Sequence, residues 1–160
     1  MKRFVLVAAA VFVFILPMIA SRAQDAVVLT IDGQIDGGAA RDFTVGQLES
    51  LEMATIETST PWHDGKVKFE GVPLRRLIEH VGASGKTAAI SALNSYRTEI
   101  PLSDFTRYPV ILATKQDGIH MPVSDKGPLF IIYPFDASKE LKSELFYSRS
   151  AWQVRRITIE

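Results

Sequence analysis

The chain of 160 residues has no cysteine. That excludes disulfides, thiolate nucleophiles and cysteine-based metal centres. Histidine occurs three times, at His63, His80 and His120, and the three stand far apart. His80 falls near the end of an amphipathic stretch, where a cation suits a helix C-terminus. His63 and His120 fall in loop-like settings and show no third partner for a metal. Asp64 and Asp117, the acidic neighbours available for general acid–base work, also read as plain turn residues. The serine-hydrolase elbow, the H-E-x-x-H pair, the P-loop and the dinucleotide fingerprint are all missing. There is no basic stripe of the kind that nucleic acid requires.

What is present begins with a targeting signal. Lys2 and Arg3 precede the apolar run "FVLVAAAVFVFILPMIA", and "SRA" follows with small residues at the positions a signal peptidase reads. Residues 1–23 are expected to be a cleavable signal peptide, which implies export to the periplasm. The expected mature domain is 24–160. Removing Lys2, Arg3 and Arg22 leaves 15 basic against 18 acidic residues, a net charge of −3. A chain of this size supports one domain with one ordinary core.

"AVVLTIDG" (26–33) alternates and reads as a first strand, and "GQIDGGAARD" (33–42) reads as a loop. Thr44 and Gln47 stand at capping-box spacing at the head of a short helix. "ATIETST" (54–60) and "KVKFEGV" (66–72) are strands joined through the "HDGK" turn. Pro73 suits the first turn of a helix carrying Leu74, Leu77, Ile78 and Val81, which Gly82 stops. "AAISALNSYRTEIPL" reads as strand, turn and strand. "PVILATKQDG" and "GPLFIIYP" are buried strands, and "SAWQVRRITIE" closes the domain as a last one. About eight strands and two short helices predict a single α+β domain, mainly β, with a mixed sheet.

The loops carry the candidate chemistry. Trp62 lies in a turn, where strand periodicity does not bury it. Asn94, Tyr96 and Arg97 form a compact donor and acceptor set. Gly127 in "DKGPL" (125–129) allows a ligand to approach the backbone closely. Such loops would offer stacking surface and amide-type hydrogen bonds, suited to a flat polar heterocycle.

The order "FEGVPLRRLIEHVG", "ALNSYRTEIPLSDF", "ILATKQDGIHMPVSDKGPLFIIYP", "SAWQVRRITIE" resembles the oxidoreductase molybdopterin-binding domain, the sulfite-oxidase fold. The resemblance implies a cleft for a pterin-based cofactor. Enzymes of that family bind molybdenum through a cysteine on the strand before a "GVPL"-like segment. The matching positions here are Thr58, Ser59 and Thr60, and a hydroxyl is a poor soft ligand. Molybdenum is therefore not expected, and turnover is disfavoured. Those enzymes also grip the cofactor phosphate through basic residues before the last strand. Arg149 of "YSRSAW" (147–152) answers that description, while Trp152 replaces a basic contact.

The chain is more similar to a cysteine-less branch of small periplasmic proteins. These bind reduced pterins and dock on the sensory domain of a membrane-bound diguanylate cyclase or phosphodiesterase, in cyclic di-GMP signalling. By that resemblance, pterin contact is carried onto Trp62, Asn94, Arg97 and Trp152, with Tyr96, Met121 and Gly127 in support. Two other functions compete with this one. The first is a molybdopterin-dependent oxidoreductase with unusual metal ligation. The second is an interaction domain whose two tryptophans fill the ancestral pocket.

Overall fold

The computed structural model describes residues 26–160. The expected signal peptide, 1–23, lies outside the described residues.

The first strand, β1 (Val27–Gly33), turns Leu29 and Ile31 inward as its alternation dictates. A second strand, β2 (Arg41–Thr44), pairs back antiparallel, with Ile31 opposite Arg41. Arg41 and Asp42 thus leave the loop that the Gly-rich composition suggests, because pairing with β1 overrides local preference. Helix α1 (Val45–Glu49) opens with the expected capping box. The Gln47 N–H donates to Thr44 Oγ1 at 3.2 Å, and the Thr44 N–H donates to Gln47 Oε1 at 2.8 Å.

Strands β3 (Ala54–Ser59) and β4 (Lys66–Pro73) form the hairpin expected around "HDGK". Helix α2 (Leu74–His80) follows Pro73, and Gly82 leaves it at φ +62°, the left-handed conformation that glycine adopts without strain. Next come β5 (Thr87–Ala92), β6 (Arg97–Pro101) and helix α3 (Leu102–Arg107). Strands β7 (Ile111–Gln116), β8 (Ile119–His120) and β9 (Phe130–Ile132) precede helix α4 (Glu144–Arg149) and the final strand β10 (Val154–Ile159). The described residues therefore hold ten strands and four α-helices, more than the sequence suggests. The unforeseen elements are two to six residues long, too short to show a period, and tertiary packing holds them in place.

Two sheets result. One runs β2-β1-β10-β5-β6, with β1 and β10 parallel and its other pairs antiparallel. The other runs β3-β4-β7-β8, with β9 also on β7, and is antiparallel. This is the expected α+β, mainly β architecture with a mixed sheet.

The main core lies between the sheets. It joins Leu29, Ile90 and Ile157 of the first to Val72, Leu112 and Ile131 of the second, with Leu48, Leu77, Phe105 and Phe146 added from the four helices. A smaller core covers the far side of the second sheet: Ile56, Phe69, Ile111, Ala113, Met121, Phe130 and Ile132. Strands β7 and β9 are buried on both faces, so successive residues alternate between the two cores. That explains their unbroken apolar runs.

The segment entering β10 runs along β9. The Ile131 N–H donates to the Ala151 carbonyl at 2.9 Å, and the Val154 N–H donates to the Leu129 carbonyl at 3.0 Å. Phe130 and Trp152 bridge between these bonds. Trp152 therefore precedes the last strand rather than belonging to it, at the junction of the two sheets.

Candidate functional site

The segment leaving β3 is closed by its own hydroxyls. Thr58 is 1% exposed, and its Oγ1 accepts the Asp136 N–H at 3.0 Å. Ser59 donates from Oγ to Asp136 Oδ1 at 2.6 Å and from its N–H to Oδ2 at 2.8 Å. Lys142 Nζ lies 2.7 Å from Asp136 Oδ1. The lysine, then the two Ser59 donors, hold the Asp136 carboxyl well below the usual carboxylate range. Thr60 Oγ1 accepts the Trp62 N–H at 3.2 Å and shares a hydrogen bond of 2.7 Å with His63 Nδ1. These bonds hold the turn that presents Trp62.

Trp62 is half-buried among rings. Its centroid lies 5.5 Å from Phe130, 6.2 Å from Phe135, 6.0 Å from Tyr147 and 5.6 Å from Trp152, the last at 73°. Edge-to-face contacts of this kind hold an indole rigidly. The two indoles meet along one side of a cavity of about 300 Å³. Asn94, Tyr96, Glu144, Tyr147, Ser148 and Ser150 complete its lining. The structure thus brings together four of the sequence-predicted residues: Trp62, Asn94, Tyr96 and Trp152. Asn94 Oδ1 accepts the Tyr96 N–H at 3.0 Å and shapes the turn between β5 and β6. The Tyr96 hydroxyl donates to the Ser148 carbonyl at 2.7 Å, tying that turn to α4.

The other predicted residues stand elsewhere. Tyr96 belongs to the turn before β6, whereas Arg97 is the first residue of the strand. Arg97 lines a separate hollow with Ala89, Ser91, Glu99 and Thr158. Met121 is buried in the smaller core, behind the indoles. Gly127 is needed for a close approach, but by the protein's own chain: a Cβ there would overlap the Met121 carbonyl. Arg149, the candidate phosphate grip, donates from Nη1 to Asp104 Oδ2 at 2.8 Å, with the two side chains only 16% and 10% exposed. The Tyr133 hydroxyl donates to the same oxygen at 2.8 Å. Burial, then the Asp104 charge, push the Tyr133 phenol far above its usual range.

His63 and His120 have different partners. His120 Nε2 lies 2.8 Å from Glu49 Oε1. His63 packs its ring 5.7 Å from Phe69, and its buried Nε2 has no partner among the described residues. Burial, then the positive charge of Lys126, hold the His63 imidazole below its usual range. His80 ends α2, as expected. Asp117 is a turn residue at φ +50°, and its Oδ1 accepts the Lys68 N–H at 3.2 Å.

The residues present do not fit molybdenum. The hydroxyls at the strand position expected to carry a thiolate are engaged in the bonds above. No group of three or more His, Cys, Asp or Glu able to hold a metal occurs among the described residues. A wider hollow of about 490 Å³ beside α2 and α3 offers three arginines, but each is paired. Arg75 meets Glu79 at 2.9 Å, Arg76 meets Glu52 at 2.8 Å and Arg107 meets Glu140 at 3.0 Å.

Sequence reasoning missed Glu144, Tyr147, Ser148 and Ser150. A signal for three of them exists: Glu144, Tyr147 and Ser148 are spaced by three and four, one face of a helix. Phe146 and Arg149 anchor the other side of α4 in the interior.

Comparison with known proteins agrees with this architecture. The sulfane dehydrogenase SoxCD from Paracoccus pantotrophus superposes with a TM-score of 0.63 at 18% identity, over 88% of this chain. The chain spans 39% of the length of that protein, so the likeness is one of fold. No curated protein matches. The family model described as the oxidoreductase molybdopterin binding domain matches residues 19–138. With that match over most of the sequence and the fold alike, the chain belongs to the oxidoreductase molybdopterin-binding domain family.

Proposed function

We propose that this domain binds a reduced pterin without turning it over, and that it reports occupancy from the periplasm to a membrane-bound enzyme of cyclic di-GMP signalling. One observation carries the reading. Both tryptophans of the chain line a single cavity with Asn94 and Tyr96, whereas the hydroxyls at the metal-ligand position are all engaged.

A pterin ring presents a flat face to an indole, worth about 0.5–1.5 kcal/mol beyond area burial. Its pyrimidine edge takes amide-type hydrogen bonds of about 1 kcal/mol net each. The cavity lining includes no cation, and Arg149 is committed to Asp104. The pocket therefore suits a ring without the phosphate tail of molybdopterin. The edge-to-face contact of the indoles also suits a ligand-free interaction domain, but the cavity beside them favours a ligand.

Exposed apolar side chains support a docking role. Leu93 is 48%, Tyr96 41% and Leu145 53% exposed, each within the pocket lining or adjacent to it in sequence. A partner seated on them would meet the cavity mouth and distinguish loaded from empty protein, the differential contact that any population shift needs.

The test is to titrate the exported protein with tetrahydropterin and follow the fluorescence of its two tryptophans, with mass spectrometry of any co-purified ligand. Saturable quenching at micromolar ligand is expected, about −8 kcal/mol. Absence of binding at submillimolar ligand ends the reading. Stoichiometric molybdenum with turnover would replace it by the oxidoreductase.

A further inference from the structure

The cavity lining holds one ionisable carboxylate, Glu144, and its chemistry is set apart from that of its neighbours. The Tyr96 hydroxyl donates to the Ser148 carbonyl, Ser148 Oγ to the Leu145 carbonyl at 2.8 Å and Ser150 Oγ to the Phe146 carbonyl at 2.9 Å. Asn94 Oδ1 accepts the Tyr96 N–H. The Glu144 carboxylate enters none of these bonds. A carboxylate is acceptor-only, and its two oxygens take two parallel N–H donors at once. On the donor side, the Asn94 amide nitrogen is likewise outside these bonds. The pocket lining therefore includes a double acceptor and a donor together with aromatic rings.

From this complement we infer that Glu144 determines which ring the pocket accepts, by taking the 2-amino and N3–H donors of a 2-amino-4-oxopyrimidine edge. The Asn94 amide donates to the 4-oxo group. The inference rests on the pterin reading above and names the residue that distinguishes a pterin from its 2,4-dioxo analogue. A 2,4-dioxo ring of the same shape replaces the 2-amino donor with a carbonyl. That oxygen would face the carboxylate with lone pair against lone pair and leave Glu144 half-paired. Sites built to pair with a donor reject analogues that lack it. Glu144 lies beyond the stretch that the family model matches, and so does all of the pocket wall that α4 supplies. Glu144 is exposed at the rim, where water weakens the discrimination to about tenfold.

The experiment is calorimetric titration of the wild type and Glu144→Gln with 6-methyltetrahydropterin and with the 2,4-dioxo ring of the same substitution. The wild type is expected to bind the 2-amino ring about tenfold more tightly. Glu144→Gln, whose amide both donates and accepts, is expected to lose about tenfold in affinity for the 2-amino ring and to abolish the preference. Unchanged affinities in Glu144→Gln, or equal binding of both rings by the wild type, overturn the assignment of Glu144 and leave the pterin reading standing. Binding of neither ring by the wild type overturns both.

Discussion

Replacing Arg149 by methionine keeps much of the aliphatic stem and removes the guanidinium, which lies 2.8 Å from Asp104 Oδ2 and over the Phe146 ring. Asp104 is then left with the Tyr133 hydroxyl alone. An uncompensated buried charge costs about 3–5 kcal/mol. With the two side chains 16% and 10% exposed, some water reaches the pair, so the low end applies, about 3 kcal/mol. At an m-value of about 2 kcal/mol/M, the urea midpoint should fall by about 1.5 M. The loss should reach the pocket, because Arg149 anchors the helix that contributes Glu144, Tyr147 and Ser148 to its wall. Urea unfolding followed by circular dichroism measures the first effect, and pterin titration of the folded protein measures the second. Adding Asp104→Leu to Arg149→Met should recover stability, since a neutral pair leaves no orphan charge. A loss below about 1 kcal/mol would mean that water already screens the pair, and the tether argument fails. If Arg149→Met instead keeps its stability and selectively loses a phosphate-bearing ligand, Arg149 is a ligand contact.

Trp62→Ala should cost about 2 kcal/mol, less than a fully buried indole because Trp62 is half-buried, and should weaken pterin binding about tenfold. Quenching of the remaining Trp152 reads the affinity, and unchanged affinity would make Trp62 only a lid. Gly127→Ala should cost about 2 kcal/mol of stability through collision with the Met121 backbone, read as a lower urea midpoint, with pterin affinity retained. Lost affinity at unchanged stability would restore Gly127 as a ligand contact. His63 has a depressed pKa in the folded state, so its neutral form stabilises the fold fully above the ordinary value of about 6.5. As pH falls below that value, the unfolded imidazole takes a proton that the folded one resists, and stability is lost. Thermal unfolding between pH 8 and 5 should show a slope that His63→Gln flattens, and equal slopes in both proteins would refute the assignment.

Where no tertiary pairing overrides them, local rules let the sequence alone determine the structure. The Thr44–Gln47 capping box, the exit of α2 at Gly82 and the alternation of β1 depend on neighbours a few residues away, and all stand as expected. The apolar runs of β7 and β9 announced strands buried on both faces. The missing cysteine was equally plain, and with it the lack of a soft ligand for molybdenum. Trp62, Asn94 and Tyr96 were legible as turn residues, whereas Trp152 read as part of the last strand and came to the site only through the family resemblance; the four share one cavity.

Tertiary structure decided which side chains remain available to a ligand. Arg97 and Tyr96 are adjacent in sequence, yet only Tyr96, in the turn before β6, lines the cavity, while Arg97 in the strand lines a separate hollow. Arg149 carries a charge suited to phosphate, but its partner Asp104 lies 45 residues away. Gly127 permits a close approach whose beneficiary is the Met121 carbonyl. Glu144 had no visible role until the short helix α4 placed it beside two indoles. In each case the deciding energy is a contact between distant segments, formed only when the two sheets close on their shared core, and no local pattern encodes which partner a side chain will meet there.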